Sequence, residues 1–351
     1  MISKNQIIME QYHKNKDSYE QLGDIVQGIL EKLVQDAGIR VMTVEHRVKK
    51  EQSLEGKLYR KGDKYQSLKD ITDILGTRVV CYFADDLDVI GDLIEKTFVV
   101  DRENSVDKRK LMQANSFGYL SLHYVCSLPE DAGYPEEVCN RRFEIQIRSI
   151  LQHVWDAVNH DMGYKGDFGM PRTVVRQFAR LAGLFEIADE EFIRVRDNMN
   201  CYTEQTRDKI MHDGAKDVLI DMVSLKEYML RNQKMEAFIQ KIADIEHSEI
   251  YPINPESYLL QLKWLKINTI GDLQKMLEDN EELAWKMAKD ALSGTEIDIV
   301  TSNVALRYLC RAKLVTDGYS EQQVAEFIAL TVDDTERAKR QAERLFQMYG
   351  M

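Results

Sequence analysis

Two carboxylates, Asp73 and Glu144, and the cations around them are the residues of this chain most suited to chemistry. In RRFEIQIRS, residues 141–149, Phe143, Ile145 and Ile147 alternate with Glu144, Gln146 and Arg148. That is the pattern of a strand with one buried and one polar face. Charge in the middle of a strand is costly unless it is paired or ligated, and a groove for a charged ligand supplies both conditions. Asp73 stands just ahead of a second strand-forming run, residues 77–83, with a turn through Gly76 aiming it at the polar side. Lys49, Ser53 and Lys57 recur at i, i+4 and i+8 in residues 43–61, which also hold Arg47, Lys50, Arg60 and Lys61. On a helix they share one face, where like charges repel unless an anion lies between them. Lys108, Arg109 and Lys110 form a further basic group, and Tyr119, Ser121 and His123 alternate along residues 118–127. An aromatic ring, a hydroxyl and an imidazole together can stack on a base and hydrogen-bond it. Two oxygen ligands that leave room for phosphates and water suit Mg²⁺. The combination is the apparatus of phosphoryl or nucleotidyl transfer, in which cations gather a polyphosphate and a carboxylate takes the attacking hydroxyl's proton.

Taken singly, each feature has a plainer reading: a solvated lysine face, a helix cap or turn for Asp73, packing for Tyr119. Other nucleotide chemistries fail on spacing, since the chain has neither GxxxxGK[ST] nor a GxGxxG after a strand. The pair His160 and Asp161 lacks the additional ligands a metal phosphohydrolase needs. His153, Asp156 and His160 share a helix face and fit supporting or surface roles better than a metal site.

The elements that must position these residues follow from the patterns. Residues 1–39 read as one or two amphipathic helices closed by Gly38, and residues 43–61 as a second helical stretch. Residues 77–83, 86–96 and 97–100 form a β-α-β unit, and residues 101–117 a polar loop. The strand over 118–127 turns through LPEDAGYPEE into the strand over 141–148. Ser149 then caps a helix whose expected buried stripe is Ile150, Leu151, Val154, Trp155 and Val158. Beyond residue 170 the pattern is helical throughout. YPINPES, residues 251–257, is the linker candidate, and LKWLKINTIGDLQKML resembles a short helical hairpin with Lys266 where glycine is common. The expected organisation is residues 1–170, 171–250 and 251–351: an α+β domain of strands and flanking helices, a helical extension, and an all-α C-terminal domain.

With 351 residues, 44% of them hydrophobic, the chain can bury a sizeable core. No run reaches the roughly 20 apolar residues of a membrane span, and the polar start has no signal-peptide character, so a cytoplasmic location and no membrane partner are expected. Five widely spaced cysteines without CxxC signal neither a disulfide framework nor a zinc knuckle. A net charge of −12 argues against general nucleic-acid binding.

RVKKEQSLEGKL, DITDILGTRVV, FGYLSLHYV, FEIQIRSILQHVW and NHDMGYK, in this order and spacing, resemble the synthetase domain of RelA/SpoT-type alarmone synthetases over residues 40–170. The resemblance implies a mixed sheet of about five strands flanked by helices, and a transferase that moves the β,γ-pyrophosphate of ATP to the 3′-hydroxyl of GDP or GTP. It further implies that Arg47, Lys49, Ser53 and Lys57 bind the ATP phosphates with Arg78 nearby, and that Asp73 ligates Mg²⁺. By the same resemblance Glu144 is expected to assist the metal and activate the acceptor hydroxyl, and Tyr119 to stack on guanine with His123 as its companion, while Gln146 and Arg148 complete that strand. Only about forty residues precede this region, so the chain resembles the small synthetase-only members with a helical extension, whose amphipathic surface is expected to form a homo-oligomer or cover the site. Family members often carry basic residues where this chain has Asn115 and Leu120. Lys108, Arg109 and Lys110 are the substitutes for holding the acceptor's phosphates, and adenosine nucleotides or the 3′ end of tRNA stay open as alternative acceptors. A nucleotide-sensing protein without catalysis is a further alternative.

Overall fold

The computed structural model describes residues 3–61, 64–111, 121–163, 171–212, 215–332 and 334–350. The chain divides into two compact units, Met1–Arg196 and Asp197–Met351.

The first unit opens with α1 (Lys4–Asp36), a single helix of 33 residues capped by a reciprocal Ser3–Gln6 box. Ile8, Tyr12, Tyr19, Leu22, Val26, Leu30 and Val34 recur at three- and four-residue spacings and are all buried. There follow β1 (Val41–Val48), α2 (Glu51–Lys61), β2 (Leu75–Cys81), α3 (Asp86–Thr97), β3 (Val99–Asp107), α4 (Lys108–Leu111), β4 (Leu122–Ser127), α5 (Glu136–Cys139), β5 (Phe143–Ser149), α6 (Ile150–Gly163) and α7 (Arg172–Met211). The five strands form one sheet in the order β1-β2-β5-β4-β3, and β2 with β5 is its one parallel pair. This is the mixed five-stranded sheet the RelA/SpoT resemblance implied. One face carries the core: Leu75, Val79, Phe143, Ile145 and Ile147 are fully buried with the apolar stripes of α1 and α3. Gly23 makes the close approach of α1 possible, because a Cβ there would lie 2.2 Å from the His46 ring on β1.

Four expectations are corrected. Residues 43–48 belong to a strand; Val41, Thr43, Val44 and Val48 are β-branched, and β1 pairs along its length with β2. Gly76 lies inside β2 and is not a turn. Residues 101–107, expected as loop, continue β3, an edge strand whose register shifts between Asp101 and Val106. Edge position and a bulge explain why a strand so polar gave no alternating signal. The stripe of α6 is only partly covered, since Val154 and Val158 are 44% and 45% exposed. The cap at Ser149 is present, its Oγ accepting from the Gln152 amide at 3.2 Å.

The second unit continues from the end of α7 through α8 (Met222–Arg231), α9 (Gln233–Ala243), β6 (Glu249–Tyr251), α10 (Leu259–Trp264), α11 (Ile270–Leu292), β7 (Ile299–Thr301), α12 (Val304–Thr316), α13 (Glu321–Ala329) and α14 (Thr335–Tyr349). One hydrophobic cluster runs from Ile210 to Leu345. The expected boundary at 250/251 therefore cuts through a continuous core; Pro255 of the linker candidate is buried, and β6 pairs with β7 beside it. Lys266 adopts a φ of 61°, the left-handed conformation for which a glycine is favoured at this hairpin. The expected cap at Ser320 forms, accepting from the Gln323 amide. Among the described residues no helix is long and apolar enough to cross a membrane.

Candidate active site

The parallel pairing of β2 and β5 places Gly76 opposite Glu144, Arg78 opposite Gln146 and Val80 opposite Arg148. Antiparallel pairing adds Arg47 opposite Gly76 from β1, and His123 opposite Gln146 from β4. Directly opposed residues project to the same side, so these polar side chains converge on the face turned away from the core. Asp73 stands in the turn just ahead of β2, at the end of the sheet where β5 also begins. Between them a Cβ added to Gly76 would meet nothing within 4 Å, so this part of the face is open.

Asp73 is held by two ammonium groups. Lys49 Nζ lies 3.0 Å from its Oδ2 and Lys57 Nζ 2.7 Å from its Oδ1. Lys49 is therefore brought beside Lys57 although it precedes α2, because the link from β1 fixes it: its amide donates to Ile74 O at 2.7 Å, and its carbonyl accepts from Tyr12 Oη at 2.7 Å. Lys57 also lies over the Tyr65 ring at 5.6 Å. Arg47 and Ser53 are exposed, and Arg78 pairs with Glu45 at 2.9 Å across the β1–β2 ladder.

Glu144 anchors the second group. His123 Nδ1 approaches its Oε1 at 2.7 Å, and Gln146 Nε2 donates to its Oε2 at 3.0 Å. The Gln146 carbonyl accepts from Arg148, whose other terminal nitrogen pairs with Asp156 at 2.6 Å. Burial pushes the Glu144 carboxyl up, but the His123 hydrogen bond and charge, the Gln146 amide and the Lys108 charge outweigh it, leaving it at about 2. Glu144 is thus an anion throughout the neutral range. Lys108 is half-buried and felt by both Glu144 and Asp156, with burial pulling its own pKa down. Its neighbours behave differently: Arg109 is tied to Asp88 and Asp107, and Lys110 is 82% exposed, 3.5 Å from Asp107. Arg109 and Lys110 thus pair with Asp88 and Asp107, whereas Lys108 feels the charges of Glu144 and Asp156.

Tyr119, together with Asn115 and Leu120, lies outside the described residues. The supporting residue that sequence reasoning passed over is Glu45, the carboxylate partner of Arg78; Asp156, expected in a supporting role, is the partner of Arg148. His153, whose pKa is lowered by burial and by the charges of Arg78 and Arg148, lies beside them. Glu45 sits two residues before Arg47 in the strand missed in residues 43–48 and is not detectable without the β1 assignment; the pairing of Asp156 with Arg148, eight residues earlier, needs the path of α6. Asp73 and Glu144 fit a hard divalent cation, being oxygen donors at one end of two neighbouring strands. Among the described residues no group of three or more His, Cys, Asp or Glu is gathered; Mg²⁺ bound through one or two carboxylates with water and phosphates requires none.

Residues 46–168 match the model of a family described as a region found in RelA / SpoT proteins. The chain is 29% identical over 156 residues to GTP pyrophosphokinase YjbM of Bacillus subtilis, covering 44% of this chain and 71% of that relative. It is 27% identical over 159 residues to GTP pyrophosphokinase YwaC of the same organism, covering 44% and 74%. The small alarmone synthetase 1 of Bacillus subtilis bound to its product pppGpp aligns at a TM-score of 0.47 and 24% identity, over 54% of this chain and 98% of that one. The RelA/SpoT resemblance read from the motifs thus holds over the stretch that builds the polar sheet face.

Proposed function

We propose that this chain is a GTP pyrophosphokinase, transferring the β,γ-pyrophosphate of ATP to the 3′-hydroxyl of GDP or GTP. The observation that carries the reading is the meeting, at one end of the parallel β2–β5 pair, of the Lys49–Asp73–Lys57 and His123–Glu144–Gln146 groups, within the region similar to two GTP pyrophosphokinases.

Lys49 and Lys57 gather the ATP phosphates, exchanging their hold on Asp73 for the greater negative charge of the nucleotide. Arg47 and Ser53 line the approach, and Arg78 backs it from β2. Asp73 and Glu144 would hold Mg²⁺, which would neutralise charge building on the phosphate oxygens. His123, Gln146 and Lys108 place the acceptor, with Tyr119 as its stacking surface. The 3′-oxygen attacks the β-phosphorus, the bond from that phosphorus to the α–β bridging oxygen breaks, and AMP leaves. Glu144 accepts the hydroxyl's hydrogen bond and its proton. A carboxylate held so low is a weak base, which suits a loose transition state that asks for positioning more than for deprotonation.

The test is production of AMP and a 3′-pyrophosphorylated guanosine nucleotide from ATP, GDP and Mg²⁺ by the purified chain. Glu144→Gln should keep the fold and ATP binding and cut turnover by at least about 10²-fold. Full turnover in that variant would remove Glu144 from the site, and absence of AMP with any acceptor would leave a nucleotide-binding protein.

A further inference from the structure

A cavity of about 580 Å³ lies wholly within the second unit, far in sequence from residues 46–168. Its size falls in the range of sites that enclose a nucleotide-sized ligand. Four arginines line it: Arg307 and Arg311 from α12, and Arg337 and Arg344 from α14. The described ion pairs of this unit run through Glu227, Glu278, Glu281, Asp317 and Glu336, and none reaches these four side chains. Arg311 is half-buried, and its Nη2 donates to the neutral Gln341 carbonyl at 3.0 Å.

In a chain with a net charge of −12, such a grouping needs a physical reason. Arg307 and Arg311 stand at i, i+4 on one helix, where like charges repel. Burial, and next the charge of Arg307, pull the Arg311 guanidinium below its ordinary pKa. A desolvated cation beside another cation is unfavourable unless an anion completes the site. Planar guanidinium groups match phosphate oxygens in pairs, so four of them around one cavity suit an oligophosphate. The same walls carry aromatic faces. Tyr258, partly exposed, lines the cavity, and the buried Tyr308 backs Arg311 with its ring 6.0 Å from the guanidinium. Tyr349 also lines it, its hydroxyl engaged by Asp290. Such faces accept a base by stacking and hold a guanidinium over a ring.

We propose that this cavity is a second nucleotide site, receiving the phosphates of a nucleoside di- or triphosphate among Arg307, Arg311, Arg337 and Arg344 and its base against Tyr258 and Tyr349. The assignment stands on the second unit alone and does not depend on the transfer reaction.

The experiment is calorimetric titration of the full chain in Mg²⁺-free buffer with GTP, ATP and inorganic pyrophosphate separately, for the native sequence and for Arg307→Gln/Arg344→Gln. Both substituted positions are exposed, so the unliganded variant should melt no lower than the native chain. With GTP or ATP, the native chain should bind one equivalent more than the variant, or bind it at least about tenfold tighter for each guanidinium retained. Pyrophosphate should bind this site at least about tenfold more weakly than the nucleotide, since it has no ring to stack. Should the double variant melt lower, the exposed Arg337→Gln alone must show the same loss. Equal stoichiometry and affinity in native and variant chains for both nucleotides overturns the site, and pyrophosphate binding as tightly as nucleotide overturns its assignment to a nucleotide.

Discussion

The polar face of the sheet and the cavity of the helical unit both gather cations, yet they treat charge in opposite ways. On the sheet nearly every cation has a named partner: Lys49 and Lys57 share Asp73, Arg78 takes Glu45 and Arg148 takes Asp156, while the His123 ring takes Glu144. Around the helical cavity the four arginines have no carboxylate partner among the described residues. The first arrangement keeps a charged face stable while empty and can hand its cations to a polyphosphate when one arrives. The second leaves its positive charge uncompensated, at a cost that the exposure of Arg307, Arg337 and Arg344 keeps small and that an anion in the cavity would remove.

If that contrast is real, removing a cation should cost stability on the sheet and cost nothing at the cavity. The largest effect is expected at Arg148, whose side chain is 2% exposed and bridges Gln146 and Asp156. Arg148→Met should destabilise the fold by about 3 kcal/mol in urea denaturation, the order seen when one member of a buried pair is removed. A loss under about 0.5 kcal/mol would mean that Asp156 reaches water without it.

Asp189 is the exception within the first unit and gives the next effect in size. Its Oδ2 accepts from Ser149 Oγ at 2.7 Å, while Oδ1 has no hydrogen-bond partner among the described residues. Burial raises its pKa to about 6, and the Ser149 bond only partly opposes that shift. Because the folded value lies above the ordinary carboxylate value, this group's contribution is whole below about pH 4 and is lost as pH rises through about 6. Asp189→Asn should remove about 1–2 kcal/mol of the fall in stability between those limits, read from denaturation midpoints at pH 4 and 7. An unchanged pH dependence would place the carboxylate in contact with water.

The smallest effect has the opposite sign. Arg307→Gln relieves an i, i+4 repulsion with Arg311, so without ligand it should raise stability by about 0.2–0.5 kcal/mol. A loss of more than about 1 kcal/mol would reveal a compensating partner and erase the contrast.

What the sequence disclosed follows the same division. The alternation in residues 143–148 was legible because each apolar side chain meets a core neighbour and each polar one faces the open side, a period-two signal that burial enforces. Residues 43–48 misled because Lys49, Ser53 and Lys57 keep helical spacing just beyond them; β1 holds the first half of that stretch and α2 the second, and Lys49 reaches Asp73 from the link between the two. The polar edge strand after Val100 gave no alternation, and the three-residue strands β6 and β7 are too short for any period to emerge. The individual site residues were legible as a motif, but their pairing was not. That Glu144 is held by His123 and Gln146 and feels the charge of Lys108, while Arg109 pairs with Asp88 and Asp107, depends on strand register. The cavity arginines are spread over α12 and α14, about thirty residues apart, with no spacing that predicts their meeting.

The measurement closest to the central claim is a competition in which the chain meets γ-labelled ATP and Mg²⁺ with GDP, GTP, ADP and deacylated tRNA present together. Label should pass mainly to the guanosine nucleotides, with AMP released in equal amount. Label passing mainly to adenosine nucleotides or to tRNA would contradict the assignment of the polar sheet face to guanosine pyrophosphorylation.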